Sequence, residues 1–164
     1  MLTKHAKLMR FFAEAREVEG RKKLQKMIYI LKVSGVPFEE KYQFHFYGPY
    51  SEELSLRMEE LCNLGFVEEK KETKSHYTQY RYRITADGET FLQQFPCDMP
   101  DFHKPLALLQ DKSSRFLELV ATMLYFRDLP RDEVEEKVHL VKPKQKYSDD
   151  ELAKAWTLID QLIE

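Results

Sequence analysis

Apolar positions recur at helical spacing in some stretches of this chain and at alternate positions in others, and each change of period marks an element. Leu8, Phe11, Phe12 and Ala15 fall at i, i+3, i+4 and i+7, which predicts a helix over residues 3–17 with one buried stripe. Gly20 ends it, and Leu24, Met27, Ile28 and Leu31 repeat the spacing in a second helix over 21–33 that Gly35 and Pro37 stop. The run Gln43-Phe44-His45-Phe46-Tyr47 alternates and predicts a short strand. Gly48-Pro49-Tyr50-Ser51 is a turn into a third helix, with Ser51 as its cap and Glu52 and Glu53 at the positive end of its dipole. Leu54, Met58, Leu61 and Leu64 form the inner face of that helix, and Gly65 stands where a left-handed residue closes it. Residues 66–70 and 77–85 then read as two strands joined by a polar loop, and Thr85 caps a short helix running to about residue 95.

Pro96, Pro100 and Pro105 mark a connector, after which the pattern is helical again. Phe116, Leu119, Val120, Met123 and Leu124 make a strong apolar stripe, and Pro130 stands at a helix start with Val134 and Val138 facing inward. Ser148 and Glu151 have capping-box spacing ahead of Leu152, Ala155, Trp156, Ile159 and Ile163. The chain is therefore expected to divide into residues 1–95 and a helical extension, 96–164, packed on them. Helix, helix, short strand, helix and two-stranded hairpin is the winged-helix order. The expected fold is α+β, mostly α: a winged helix-turn-helix with a two-stranded wing and a helical C-terminal extension.

Composition narrows the function classes. At 164 residues the chain can bury a substantial core, and 11 Phe and 9 Tyr with a net charge of −2 exclude disorder as the main state. No stretch approaches the roughly 18 apolar residues of a membrane span, and the N-terminus lacks a signal-peptide pattern. Cys62 and Cys97 sit in no metal or redox motif, so a cytoplasmic protein without membrane contact is the expectation. The small net charge conceals a gradient: residues 1–32 hold nine basic groups against three acidic, a net of +6, whereas 33–95 and 96–164 each carry −4. Near-neutrality therefore does not exclude nucleic acid.

Two surfaces carry the cations. On a helical wheel, Arg21, Lys22, Gln25, Lys26, Tyr29 and Lys32 lie opposite the apolar stripe of the second helix, where they can grip phosphates or an acidic protein surface. In the hairpin, Lys70, Lys71, Lys74 and His76 crowd the tip, and Gln79, Arg81 and Arg83 alternate with Tyr80, Tyr82 and Ile84. The same arginines can instead pair with Glu68, Glu69 and Glu72 across the hairpin. The third helix, which reads the major groove in a winged-helix DNA binder, here presents Glu52, Leu56, Glu59 and Glu60, and phosphates repel such a face. That surface suits a protein partner better.

No phosphate loop, GxSxG or HExxH pattern is present, and the five histidines are scattered. His45 is expected as a hydrogen-bonded structural residue and Cys62 as an inert core thiol. The run Gly20-Arg21-Lys22-Lys23-Leu24-Gln25-Lys26-Met27-Ile28-Tyr29-Ile30-Leu31, followed by Phe44-His45-Phe46-Tyr47-Gly48-Pro49-Tyr50-Ser51-Glu52-Glu53-Leu54, resembles the YwgA family of Bacillus-type bacteria over nearly the whole chain. That resemblance brings no activity with it. More distantly, Lys23-Leu24-Gln25-Lys26 with Tyr29, then Gly48-Pro49, is similar to the SocA-like or Panacea domain of antitoxins and toxin-degradation adaptors, which implies a protein-binding fold. Neither resemblance implies a cofactor.

The expectation drawn from the sequence is a non-enzymatic winged-helix regulator. It binds double-stranded DNA in transcription through Arg21, Lys22, Lys26, Lys70, Lys71, Lys74, Arg81 and Arg83, with homodimerisation as the usual arrangement. The alternative is a protein-interaction module, antitoxin-like or an adaptor, that engages its partner through Glu52, Leu56, Glu59 and Glu60.

Overall fold

In a computed structural model describing residues 2–163, the predicted helices form around a single apolar core. Helix α1 (Thr3–Ala15) buries Leu8, Met9, Phe11 and Phe12 on one side and ends two residues earlier than its periodicity suggests, because Arg16 turns to φ 69°. The next three residues pair as a strand, β1 (Glu17–Glu19), and α2 (Arg21–Val33) follows at Gly20. Strands β2 (Gln43–His45) and β3 (Gly48–Tyr50) make a small antiparallel ribbon, so the Gly-Pro turn is itself half strand. Helix α3 (Glu52–Asn63) is capped by the Ser51 hydroxyl, which accepts from the Leu54 amide at 3.0 Å.

The hairpin β4 (Val67–Thr73) and β5 (Thr78–Ile84) is longer than its sequence pattern predicts, with Thr73 opposite Thr78 at the tip. Strand β1 pairs with the free edge of β5, Glu17 against Arg83 and Glu19 against Arg81, giving a three-stranded antiparallel sheet in the order β1-β5-β4. Helix α4 (Ala86–Gln94) starts at Thr85, whose hydroxyl accepts from the Gly88 amide at 3.0 Å.

The expected connector holds a helix of its own. In α5 (His103–Gln110), Pro105 occupies the first turn, where a missing N–H costs nothing, and Leu106 and Leu109 are buried. Helix α6 (Ser114–Tyr125) is the centre of the molecule: every residue from Leu117 to Leu124 is buried, and it packs on α2 along most of its length. Helix α7 (Arg131–Val141) and a short 3-10 turn, Pro143–Gln145, lead to α8 (Asp149–Ile163), which lies against α6. The reciprocal capping box forms at its start, Ser148 N to Glu151 Oε1 and Glu151 N to Ser148 Oγ, both at 3.1 Å. The expected division at residue 95 falls between α4 and α5, and residues on both sides of it enter the same core. The chain is α+β and mostly helical, with no helix among the described residues long and apolar enough to cross a membrane.

Glu40 is buried without a side-chain partner: it is 1% exposed, and neither of its carboxylate oxygens accepts a hydrogen bond among the described residues. Burial pushes its pKa above the usual carboxylate value, and nearby Glu39 adds to the shift while Lys32 and Lys4 oppose it. A carboxyl whose folded pKa exceeds its unfolded one contributes stability that is full below the unfolded value and lost as pH rises through the folded value. Glu40→Gln is therefore expected to stabilise the protein at pH 7 by on the order of 1 kcal/mol, and to leave it unimproved near pH 4. Urea denaturation at the two pH values checks this, and equal gains at both would contradict it.

Candidate functional site

The candidate surfaces meet in a cleft of about 570 Å³ between α2 and α3. Its floor is Leu24, Leu54 and Met58. Arg21, Lys22, Gln25 and Lys26 line the α2 side, Ser55, Glu59, Cys62 and Asn63 the α3 side, and Tyr47, Tyr50 and Tyr82 close it. Gln25 holds the two helices in register. Its amide nitrogen donates to the Ser51 carbonyl at 2.9 Å and to Ser55 Oγ at 3.1 Å, and its oxygen accepts from the Ser51 amide at 2.9 Å. The cleft is thus fixed by a buried polar clamp.

The structure corrects the expected exposure of Lys26. The wheel puts it on the solvent side of α2, but α2 is enclosed: every residue from Leu24 to Leu31 is buried, and Lys26 is 1% exposed. Its ammonium donates to the Pro49 carbonyl at 2.7 Å. A partner cation reaches the same ribbon from the other half of the chain: Lys142 donates to the Phe46 carbonyl and lies 3.6 Å from the carboxylate of buried Glu118. Burial pushes the Lys26 pKa down to about 8, with Glu118 opposing and Lys142 and Lys22 reinforcing the shift. Gly48, at φ +87°, passes over this cluster: a Cβ there would lie 3.2 Å from Thr122 Oγ1 and 3.6 Å from the Lys26 nitrogen. The Gly-Pro sequence is therefore a packing and backbone requirement of the buried lysines.

The ribbon so anchored presents its tip to solvent. Phe46 is 80% exposed and Tyr47 46%, their rings edge to face at 5.1 Å, and the Lys22 ammonium lies 3.7 Å from the centre of the Tyr47 ring. Charge patterning does not single out these aromatics, and their one sequence signal is the aromatic run ahead of Gly48-Pro49. Nothing around Lys142 or Glu118 in the sequence marks them as partners of this turn. The His45 ring lies 5.2 Å from that of Tyr50, tilted by 45°, and makes no side-chain hydrogen bond among the described residues, contrary to the expectation for it. The Cys62 thiol is half-buried at the cleft wall, and burial pushes its pKa up to about 11.

In the hairpin the arginines are largely spoken for. Arg81 bridges Glu17 at 2.6 Å, Glu19 at 2.7 Å and Glu72 at 2.9 Å, and Arg83 pairs with Glu68 at 2.7 Å. These carboxylates hold both guanidinium pKa values above their ordinary value. Arg21 stacks over the Tyr80 ring at 3.7 Å, donates to the Tyr82 hydroxyl at 3.1 Å and lies 3.6 Å from Glu69. Two of the arginines' carboxylate partners come from β1, whose Glu-Val-Glu sequence is too short to announce a strand. Lys70, Lys71 and Lys74 are exposed and form no ion pair within 4.0 Å among the described residues. On α3, Glu60 accepts from His5 at 2.9 Å and from Arg57, whereas Glu52 and Glu59 are exposed without an ion pair among the described residues, beside an exposed Leu56. No group of three or more His, Cys, Asp or Glu side chains among the described residues is placed to hold a metal ion.

The chain is 55% identical over 162 residues to uncharacterized protein YwgA of Bacillus subtilis (strain 168), spanning 99% of this chain and 98% of that protein. It belongs to the YwgA family. No family model matches the chain. At that identity and coverage, the anchored ribbon and the α2–α3 cleft lie wholly within the aligned region of this YwgA-family protein.

Proposed function

We propose that this YwgA-family protein is a non-enzymatic regulatory module that works by holding a partner protein, in the manner of an antitoxin or adaptor, on a winged-helix frame. Support for the frame comes from the element order and the β1-β5-β4 sheet, in which the strand between the first two helices joins the hairpin edge. The observation that carries the protein-binding reading is the state of the charges. Arg21, Arg81 and Arg83 lie against carboxylates and Lys26 is buried, while Glu52 and Glu59 are exposed and form no ion pair among the described residues. The partner this surface fits is basic and apolar. Cations would meet Glu52 and Glu59, and an apolar pocket would receive Phe46 and Leu56, exposed aromatics being the usual anchors of such contacts. The similarity of Lys23–Lys26 and Gly48-Pro49 to the SocA-like domain agrees with this reading.

Duplex DNA is the second reading, favoured by one observation: Lys70 and Lys71 on β4 and Lys74 at the hairpin tip are exposed and form no ion pair among the described residues. Three phosphate contacts are few, and the acidic α3 would face the groove. A salt titration with duplex DNA separates the two readings. The protein reading predicts affinity no tighter than about 10⁻⁶ M at about 150 mM salt, the range of non-specific binding. Nanomolar binding that falls steeply with salt and is abolished in a Lys70, Lys71 and Lys74 to Glu variant would establish DNA as the partner instead.

A further inference from the structure

The cations that line the cleft between α2 and α3 each have a partner. Lys26 is spent on the Pro49 carbonyl beneath the Gly48-Pro49 turn, Arg21 lies 3.6 Å from Glu69, and the Lys22 ammonium rests on the Tyr47 ring. The interior between the walls is floored by Leu24, Leu54 and Met58 and suits uncharged, apolar side chains. It is also formed in advance: Gln25 ties α2 to Ser51 and Ser55, and the Tyr50 hydroxyl lies 2.7 Å from Ser55 Oγ. The rim on α3 differs in charge. On a helical wheel Glu59 borders the cleft, and Glu52, Asn63 and Leu56 lie just beyond it, so that 52, 56, 59 and 63 form one row along the helix. Glu52 and Glu59 are exposed and form no ion pair among the described residues, and Arg57, the one cation in the α3 sequence, is taken by Glu60. Both long walls are helices whose backbone groups bond within themselves. They offer an extended chain no ladder of donors and acceptors, whereas a helix satisfies its own backbone and needs only side-chain contacts.

We propose that this cleft is the seat of a basic amphipathic helix of the partner protein, with apolar side chains on Leu24, Leu54 and Met58 and lysines or arginines along Glu52 and Glu59. The seat rests on the protein-contact reading and gives it a form. Tyr47 flanks the helix on the ribbon side and Leu56 on the far side of α3, so both exposed anchors belong to one contact. The carboxylate row supplies the selectivity: an acidic helix with the same apolar spacing meets Glu52 and Glu59 and is repelled.

Photo-crosslinking of the full chain in the host cell from positions 22 and 63 tests this, with the labelled partner segment mapped by mass spectrometry. Both residues are exposed and stand on opposite walls of the cleft, so their replacement leaves the fold intact. The two positions are expected to label the same short segment of one protein, with apolar residues at i, i+3, i+4 and i+7 and lysine or arginine between them. Glu52→Lys is expected to reduce that labelling tenfold or more. Labelling from positions 46 and 56 with none from 22 and 63 would overturn the seat and leave the contact at the ribbon tip standing. A labelled segment that is acidic or lacks the helical spacing, or labelling unchanged in Glu52→Lys, would overturn it equally. No protein adduct from any of the four positions would overturn the contact as well as the seat.

Discussion

Gly88→Ala is expected to destabilise the protein by about 3 kcal/mol, the upper range for forced overpacking. Gly88 lies in the first turn of α4, where that helix meets the sheet and α1. A Cβ there would run into the Phe66 carbonyl oxygen, with Met9 Cε at 2.6 Å and Ile84 Cγ1 at 3.0 Å. The Phe66 carbonyl has no room to give, because it accepts the Thr85 amide at 3.0 Å and closes the junction between hairpin and helix. Gly65→Ala is the control. Its glycine has φ +80° but open space around the added methyl, so only the backbone penalty of about 1 kcal/mol applies. Urea denaturation of the two variants should separate them by midpoint. Equal losses would mean that the α4 junction is looser than described.

Gln25→Leu is expected to cost about 2–4 kcal/mol with the volume of the side chain nearly conserved. The loss comes from the groups left behind: the buried Ser51 amide loses its partner, which costs about 1–3 kcal/mol, and the Ser51 carbonyl, which keeps the Ser55 amide at 3.3 Å, loses a hydrogen bond that contributes about 1 kcal/mol. Because Ser51 caps α3, the start of α3 loosens from α2 and the cleft between them loses its fixed shape. Amide hydrogen exchange should show faster exchange at 51–55 than elsewhere in the chain. A variant with unchanged midpoint would show that the clamp contributes little to the junction.

The local structure was legible where one short signal suffices. Ser51, Thr85 and the Ser148–Glu151 pair each cap the helix that their sequence position predicts, and Gly65 takes the left-handed conformation expected of it. These are contacts within four residues, so the sequence contains both partners. What stayed hidden depends on distant neighbours. The helical wheel assumes one apolar face, but α2 is covered by α6, β3 and α5 as well as by the sheet side, and so Lys26 and Tyr29 go inside with the leucines. Strand β1 has three residues, two of them glutamates, and is a strand only because β5 offers an edge with Arg81 and Arg83 beside it. Helix α5 was masked by its proline, which marks a break in most positions and is tolerated in a first turn.

The candidate site was legible in its parts and not in its balance. The sequence locates the cations on α2 and the hairpin and the acids on α3, and it offers cross-hairpin pairing as an alternative to phosphate binding. Which alternative holds depends on side-chain reach. Arg81 collects Glu72 from β4 and Glu17 and Glu19 from β1, and the excess of nine basic groups over three acidic ones in residues 1–32 is partly answered from elsewhere in the chain, where Lys7 meets Glu39, Arg16 meets Glu89 and Arg21 meets Glu69. The exposed Phe46 and Tyr47 follow from a different long-range fact, the two buried lysines that hold the backbone on either side of them.

The claim that this protein works through a protein contact at the ribbon tip and α3 is tested most directly by a photo-crosslinking side chain placed in turn at positions 46, 56 and 71 and activated in the host cell. The account predicts one discrete protein adduct shared by positions 46 and 56, lost when Glu59→Lys is added, and none from position 71. Adducts from position 71 alone, sensitive to nuclease, would contradict it.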